Sequence, residues 1–323
     1  MYAVKGIDVS TRIVDIIEHR FSTYVSLFDK HVNGVVEQIV EPTYWYLNLL
    51  NREGYIERLT AGNSIRIYSP FVRGKSCLGE NLVSTVNNIQ EGIIYVHRSI
   101  SFCNRVVDDS FCPIHTSSEY SKYLLFIYGL KEYLQGVGLA LVPHMVYLLY
   151  IGGSSLKVGI ANAIKNIVRL YEQIFIYGSI ITFVENAALA RNIEKKLSSF
   201  YVKDRATVFE RLDWIKRVKS RNFEDHLKSF IAIFSRHVKP FLNSIGIDRG
   251  KDFIPVIRFY DSCFDNMEKS YIIYDREMLN NLEGIAEVEE YCLGGFTIDL
   301  NNKRYFIPYQ LIRDHFISID IVK

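Results

Sequence analysis

The stretch HMVYLLYIGGSSLKVGIANAIKNIVRL, residues 144–170, decides how the chain is to be read. Two short apolar runs flank a Gly-Gly-Ser-Ser punctuation, and a run of helical character carrying one arginine follows. Short apolar runs bounded by turn formers are strands, so residues 145–151 and 156–160 form a hairpin with its connection at 152–155. Asn162 is available to cap a helix over 163–175, which carries Arg169. A third strand over 179–184 and a second helix over 187–200 complete a β-β-α-β-α unit.

A competing interpretation is a membrane span, since residues 134–153 are nearly free of charge over about the length that crosses a bilayer. Gln135, Pro143, His144 and the Gly pair oppose it, and no strongly basic cluster sits immediately beside either end. The expectation is a buried element and no membrane partner.

Around this unit the chain divides by composition. Residues 1–120 form a mixed N-terminal region, 121–200 hold the small module, 201–250 are charged and helical, and 251–323 are β-rich. Near the N-terminus, residues 9–21 and 24–39 are periodic enough to be strands or helices, and 64–68 alternate as a strand does. A helix is expected over 120–134, and later strands over 253–259, 271–274, 296–300 and 305–308, with an Asn301-Asn302 turn between the last two. The fold class expected is α+β, with the terminal strands pairing with those of the N-terminal region.

Bulk composition narrows function without fixing it. A 323-residue chain that is 49% hydrophobic and 23% charged buries a substantial core and is not disordered. A net charge of +2 supplies little long-range attraction to nucleic acid, so a binder must gather its basic residues on one face. Arg211, Lys216, Arg217, Lys219 and Arg221 are one such group, interrupted by Glu210, Asp213, Glu224 and Asp225; a solvated helix face is the alternative. The 22 tyrosines offer stacking surfaces only where exposed. No secretory signal pattern opens the sequence, so a cytoplasmic location is expected.

Five cysteines do not describe a disulfide framework. Cys77, Cys103, Cys112 and His115, however, are three thiolates and an imidazole, a set able to hold tetrahedral Zn2+, with Cys112-Pro-Ile-His115 giving the tight spacing of a zinc knuckle. The alternative is buried thiols acting as small hydrophobes. Cys263 and Cys292 are isolated and read as structural.

In the module, Tyr147 and Tyr150 differ in strand parity and face opposite ways. Tyr147, Lys157, Arg169 and Glu194 together suit a phosphodiester: the guanidinium binds its oxygens, the carboxylate holds Mg2+ or Mn2+, and the phenol or amine orients an attacking water. Each has an ordinary alternative: a core tyrosine, a strand-end lysine, a surface arginine, a glutamate paired locally with a basic neighbour. His144 reads as a loop or cap histidine.

At these residues the sequence resembles the GIY-YIG endonuclease superfamily. Met145-Val146-Tyr147 is similar to its first motif, Lys157-Val158-Gly159 to its second, Arg169 to its helix arginine, and Glu194 in ALARNIEKKL to its metal-binding glutamate. More specifically it resembles an uncharacterised prokaryotic family, domain of unknown function 2797, through the cysteine-bearing region, HMVYL, LKVGI and the glutamate-bearing helix. Lys75-Ser-Cys77-Leu-Gly79 and Gly294-Gly295 extend the likeness. Departures from the superfamily pattern are Lys157 in place of a tyrosine, Ala161 in place of threonine or serine, and no Cys-x-x-Cys pair. The resemblance implies the scaffold and leaves three functions: a DNA- or RNA-binding protein using Arg169 and the 211–221 basic residues, a divalent-metal nuclease with Tyr147, Lys157, Arg169 and Glu194 catalytic, or a non-catalytic structural or protein-interaction component.

Overall fold

The computed structural model describes residues 1–20, 34–88, 93–129, 138–152, 155–162, 168–199, 202–203, 223–247, 253–259, 265–267 and 269–322. The chain opens with a long antiparallel ribbon, β1 (Tyr2–Arg20) and β2 (Gly34–Leu50), paired from Ala3↔Leu50 to Arg20↔Gly34. Residues 9–20, which the sequence left open between strand and helix, are therefore strand. Short β3 (Ile56–Thr60) pairs with β2, and β4 (Ser64–Ser76) follows. β5 (Glu80–Asn88) and β6 (Ile93–Ser101) form a separate two-stranded sheet, and β7 (Val106–Val107) returns to the end of β4.

The module comprises α1 (Glu119–Ile127), α2 (Gly138–Leu141), the hairpin β8 (His144–Gly152) and β9 (Ser155–Asn162), α3 (Val168–Tyr171), β10 (Tyr177–Val184), α4 (Ala187–Ser198) and β11 (Val202–Lys203). α5 (Phe223–Ile233) runs through a π turn at Phe234–Val238 into α6 (Lys239–Ser244). The last third contributes β12 (Phe253–Phe259), β13 (Tyr271–Ile272), α7 (Arg276–Asn280), β14 (Gly284–Cys292), β15 (Gly295–Leu300), β16 (Lys303–Pro308), α8 (Tyr309–Ile312) and β17 (His315–Val322).

Fifteen strands join in one open sheet, in the order β11-β9-β8-β10-β12-β2-β1-β17-β4-β14-β15-β16-β13, with β3 attached to β2 and β7 to β4. The class is α+β. C-terminal strands join the N-terminal strands at three points, β12 beside β2, β17 between β1 and β4, and β14 on the other side of β4. The β15–β16 turn is Asn301-Asn302, both residues at positive φ (56° and 59°), as a two-residue hairpin with right-handed strand twist requires.

Alternation along β8 separates two layers of core. Met145, Tyr147 and Leu149 pack with Leu170, Tyr171 and Phe175, whereas Val146, Leu148 and Tyr150 pack under Ala190, Ile193 and Leu197 of α4 and under α5. Every residue of β8 is buried, which accounts for its unbroken apolar run. Among the described residues no helix is long and apolar enough to cross a membrane.

One local expectation is corrected and one falls outside the described residues. Asn162 closes β9 opposite His144 and is buried, and the positions 163–167 that it was expected to cap lie outside the described residues. The helix expected to reach residue 175 has Val168–Tyr171 as its described part and ends early, because the C-terminal hairpin terminates it: the Gly294 N–H donates to the Tyr171 carbonyl at 3.0 Å, and a side chain at Gly294 (φ 72°) would collide with Ile174.

Candidate functional site

Two clusters of polar side chains stand out. The first is built where β4 ends. Pairing of Lys75 and Ser76 with β7 returns the chain to this strand end, and Cys77 N–H then donates to Arg105 O at 2.9 Å. A tight turn, with His115 N–H and Thr116 N–H donating to Cys112 O at 2.9 and 3.0 Å, folds the knuckle segment back. The outcome is that the ligand atoms of Cys77, Cys103, Cys112 and His115 all lie within 4.8 Å of one another. A tetrahedral zinc with Zn–S bonds of about 2.3 Å needs ligand separations of about 3.8 Å, so the set fits with small adjustments.

The environment favours thiolate at Cys112 and thiol at Cys77. Cys77 Sγ accepts from Gly79 N–H at 3.4 Å and Cys112 N–H at 3.3 Å, while His115 Nδ1 lies 3.4 Å from Cys77 Sγ and 3.3 Å from Cys112 Sγ. Burial pushes the Cys112 thiol up, but hydrogen bonds from His115 and Cys77 outweigh it and bring it down to about 6; burial leaves Cys77 raised. Gly79 is irreplaceable here, with φ 72° and a Cβ position that would overlap the Ser101 carbonyl. Lys5, which the sequence did not mark, donates from Nζ to Ser76 Oγ (3.0 Å), Cys77 O (2.8 Å) and Cys103 O (3.1 Å). Of the other cysteines, Cys263 lies outside the described residues, and Cys292 is buried beside Met267 and takes part in a disulfide.

The second cluster lies on the Tyr147 face of the module. Tyr147 opposes Gly159 across the β8–β9 hairpin, and a side chain at 159 would overlap the phenol ring. Lys157 Nζ donates to Gln173 Oε1 at 2.7 Å, and Gln173 Nε2 donates to Tyr147 Oη at 2.9 Å and to the Arg169 carbonyl at 3.2 Å. Tyr147 is 1% and Lys157 7% exposed, so neither presents its surface to solvent. Arg169 keeps a quarter of its side chain exposed and pairs with Glu172, which Arg313 also reaches at 3.5 Å. Burial lowers the Arg169 pKa and Glu172 more than restores it, so the guanidinium stays charged.

Tyr147, Lys157 and Arg169 are thus brought into one network. Glu194 is placed on α4, whose apolar residues cover the opposite face of β8, and its carboxylate is engaged by Arg191. Tyr150 lies on the α4 face, away from Tyr147 as strand parity requires. His144 is buried at the start of β8, its Nδ1 2.8 Å from Val142 O and its Nε2 2.8 Å from Tyr123 Oη. Arg211, Lys216, Arg217, Lys219 and Arg221 fall outside the described residues. Sequence reasoning missed Gln173, Glu172, Arg313 and Lys5. The i,i+4 spacing of Arg169 and Gln173 was the one usable signal; Lys5 and Arg313 are joined to their sites only by sheet pairing and chain return.

No curated protein and no solved structure matches the chain. Residues 131–246, less than half of the 323, match the family described as protein of unknown function DUF2797, a match that contains β8, β9, α3 and α4 but not the cysteine cluster.

Proposed function

We propose that this chain is a nucleic-acid-binding protein on a GIY-YIG-like scaffold, with a structural Zn2+ held by Cys77, Cys103, Cys112 and His115. The observation that carries the binding role is the way Arg169 is presented. The buried chain Lys157–Gln173–Tyr147 is tied to the Arg169 carbonyl, so the backbone of that turn is fixed beneath a charged, partly exposed side chain that pairs with Glu172. A pre-positioned arginine is suited to a phosphodiester oxygen pair. The strand order β9-β8-β10 with α4 packed on one face supports the scaffold. Binding is favoured over hydrolysis because the Glu194 carboxylate is engaged by Arg191 and its helix covers the face opposite Tyr147.

The zinc rests on donor chemistry: three sulfurs and an imidazole converge, a soft set that selects zinc over magnesium or manganese. All four positions of a tetrahedron are filled by protein, which describes a structural rather than a catalytic centre.

The test is fluorescence anisotropy on single- and double-stranded DNA and RNA, with and without Mg2+ or Mn2+. Expected are binding without added divalent ion, a steep salt dependence, no product, and for Arg169→Gln a uniform loss of affinity with the salt slope reduced by about one. No binding to either nucleic acid at low salt overturns the proposal, and metal-dependent cleavage abolished by Glu194→Ala converts it to a nuclease.

A further inference from the structure

Lys5 sits where β1 is irregular. Val4 pairs with Leu49 and Gly6 with Asn48, so Lys5 is the additional residue of a β-bulge, and Gly6 takes φ 149° to permit it. A bulge re-aims the side chain it carries. Here the ammonium is delivered to the cysteine cluster, and its three acceptors belong to Ser76, Cys77 and Cys103, residues distant from it in the chain. It is the one group that contacts both Cys77 and Cys103 among the described hydrogen bonds. Asp314 is a second anion near Lys5, but Arg313 Nε already donates to its Oδ2 at 3.1 Å.

Three thiolates around a divalent ion leave one net negative charge, in surroundings where Cys77 and Cys112 are buried. We infer that Lys5 is the counter-charge of the Cys77–Cys103–Cys112–His115 metal centre, a positioning residue that joins the first strand to the two cysteine-bearing segments. The inference rests on the zinc proposal. Without metal, the same lysine keeps two carbonyls, a hydroxyl and the field of Asp314.

The experiment uses the full chain loaded with Zn2+, with Lys5→Met and Lys5→Arg beside it. Transfer of zinc to a chromophoric chelator is expected to be about tenfold faster in Lys5→Met and close to wild type in Lys5→Arg, the scale at which outer-shell partners act on metal sites. With Co2+ in place of zinc, the thiolate-to-cobalt charge-transfer band is expected to shift in Lys5→Met, a change that a lysine acting only as a packing strut would not produce. In wild type, amine acetylation read by mass spectrometry is expected to spare Lys5 in the loaded protein and to label it after zinc is stripped; this arm needs no variant to fold. Equal acetylation with and without zinc, or wild-type zinc transfer in a folded Lys5→Met, overturns the role of Lys5 while leaving the centre intact. A wild-type chain that takes up no zinc overturns the centre and Lys5 together.

Discussion

The cysteine cluster and the Tyr147 cluster are both buried and polar, yet they are completed in different ways. Around Tyr147 the donors and acceptors match: an ammonium meets an amide oxygen, the amide nitrogen meets a phenol and a carbonyl, and the Arg169 guanidinium meets a carboxylate. At the cysteine cluster, three sulfurs and an imidazole face one another with only weak donors among them. One cluster is internally satisfied and holds a surface group in place; the other is assembled around a centre that an ion satisfies better than its own members do. The difference teaches that burial and polarity alone do not mark a ligand site, whereas a mismatch of donors and acceptors does.

The largest expected effect is that of metal removal. Stripping zinc at neutral pH should lower the melting temperature on the order of 10 °C, corresponding to about 4 kcal/mol for a site held a thousandfold above its Kd. Calorimetry before and after chelation checks it, and an unchanged melt breaks the contrast between the clusters.

Matched glycine substitutions come next. Gly79→Ala should cost about 3 kcal/mol or more and abolish zinc retention, because positive φ and a rigid backbone carbonyl both oppose a Cβ there. Gly159→Ala should cost about 1–3 kcal/mol by displacing the Tyr147 ring and leave zinc stoichiometry at one per chain. Urea unfolding with metal analysis separates the two, and loss of zinc in Gly159→Ala would show that the regions are coupled.

Gln173→Ala should destabilise by about 1–3 kcal/mol, since it takes an acceptor from buried Lys157 and a donor from Tyr147 at once. The same urea measurement should show this loss without any change in zinc.

The smallest effect is one of pH. Burial lowers the His144 pKa below its ordinary 6.5. The folded state thus takes up its proton later than the unfolded chain, so stability is fully present above about pH 6.5 and falls as pH drops toward the folded value, by at most about 1.4 kcal/mol per pH unit for this one proton. Melting curves from pH 7.5 to 5 should steepen in that direction, and His144→Gln should remove part of the slope. His315 and His237, also lowered by burial, and Cys112, brought down to about 6, contribute in the same direction.

Local signals carried much of the architecture. The Gly-Gly-Ser-Ser punctuation, the strand parity of Tyr147 and Tyr150, the Asn301-Asn302 turn and the α4 helix are all consequences of short-range stereochemistry, and they were legible residue by residue. The helix containing Arg169 was read too long because Gly294, more than a hundred residues later, ends it. Gln173 escaped notice since an amide becomes informative only when a buried lysine and a tyrosine arrive on either side of it.

By itself the sequence determined the β8–β9 hairpin and the strand and helix after it, the alternating faces of β8 and the donor chemistry of three cysteines and a histidine, because side-chain period and ligand softness are properties of the residues. Only the tertiary structure decided that Cys77 and Cys103 stand beside the Cys112–His115 knuckle, that a bulge aims Lys5 at them, and that Glu194's helix lies across β8 from Tyr147. Those outcomes depend on which strands pair and in what register, and pairing between distant segments is set by long-range burial that no local pattern encodes.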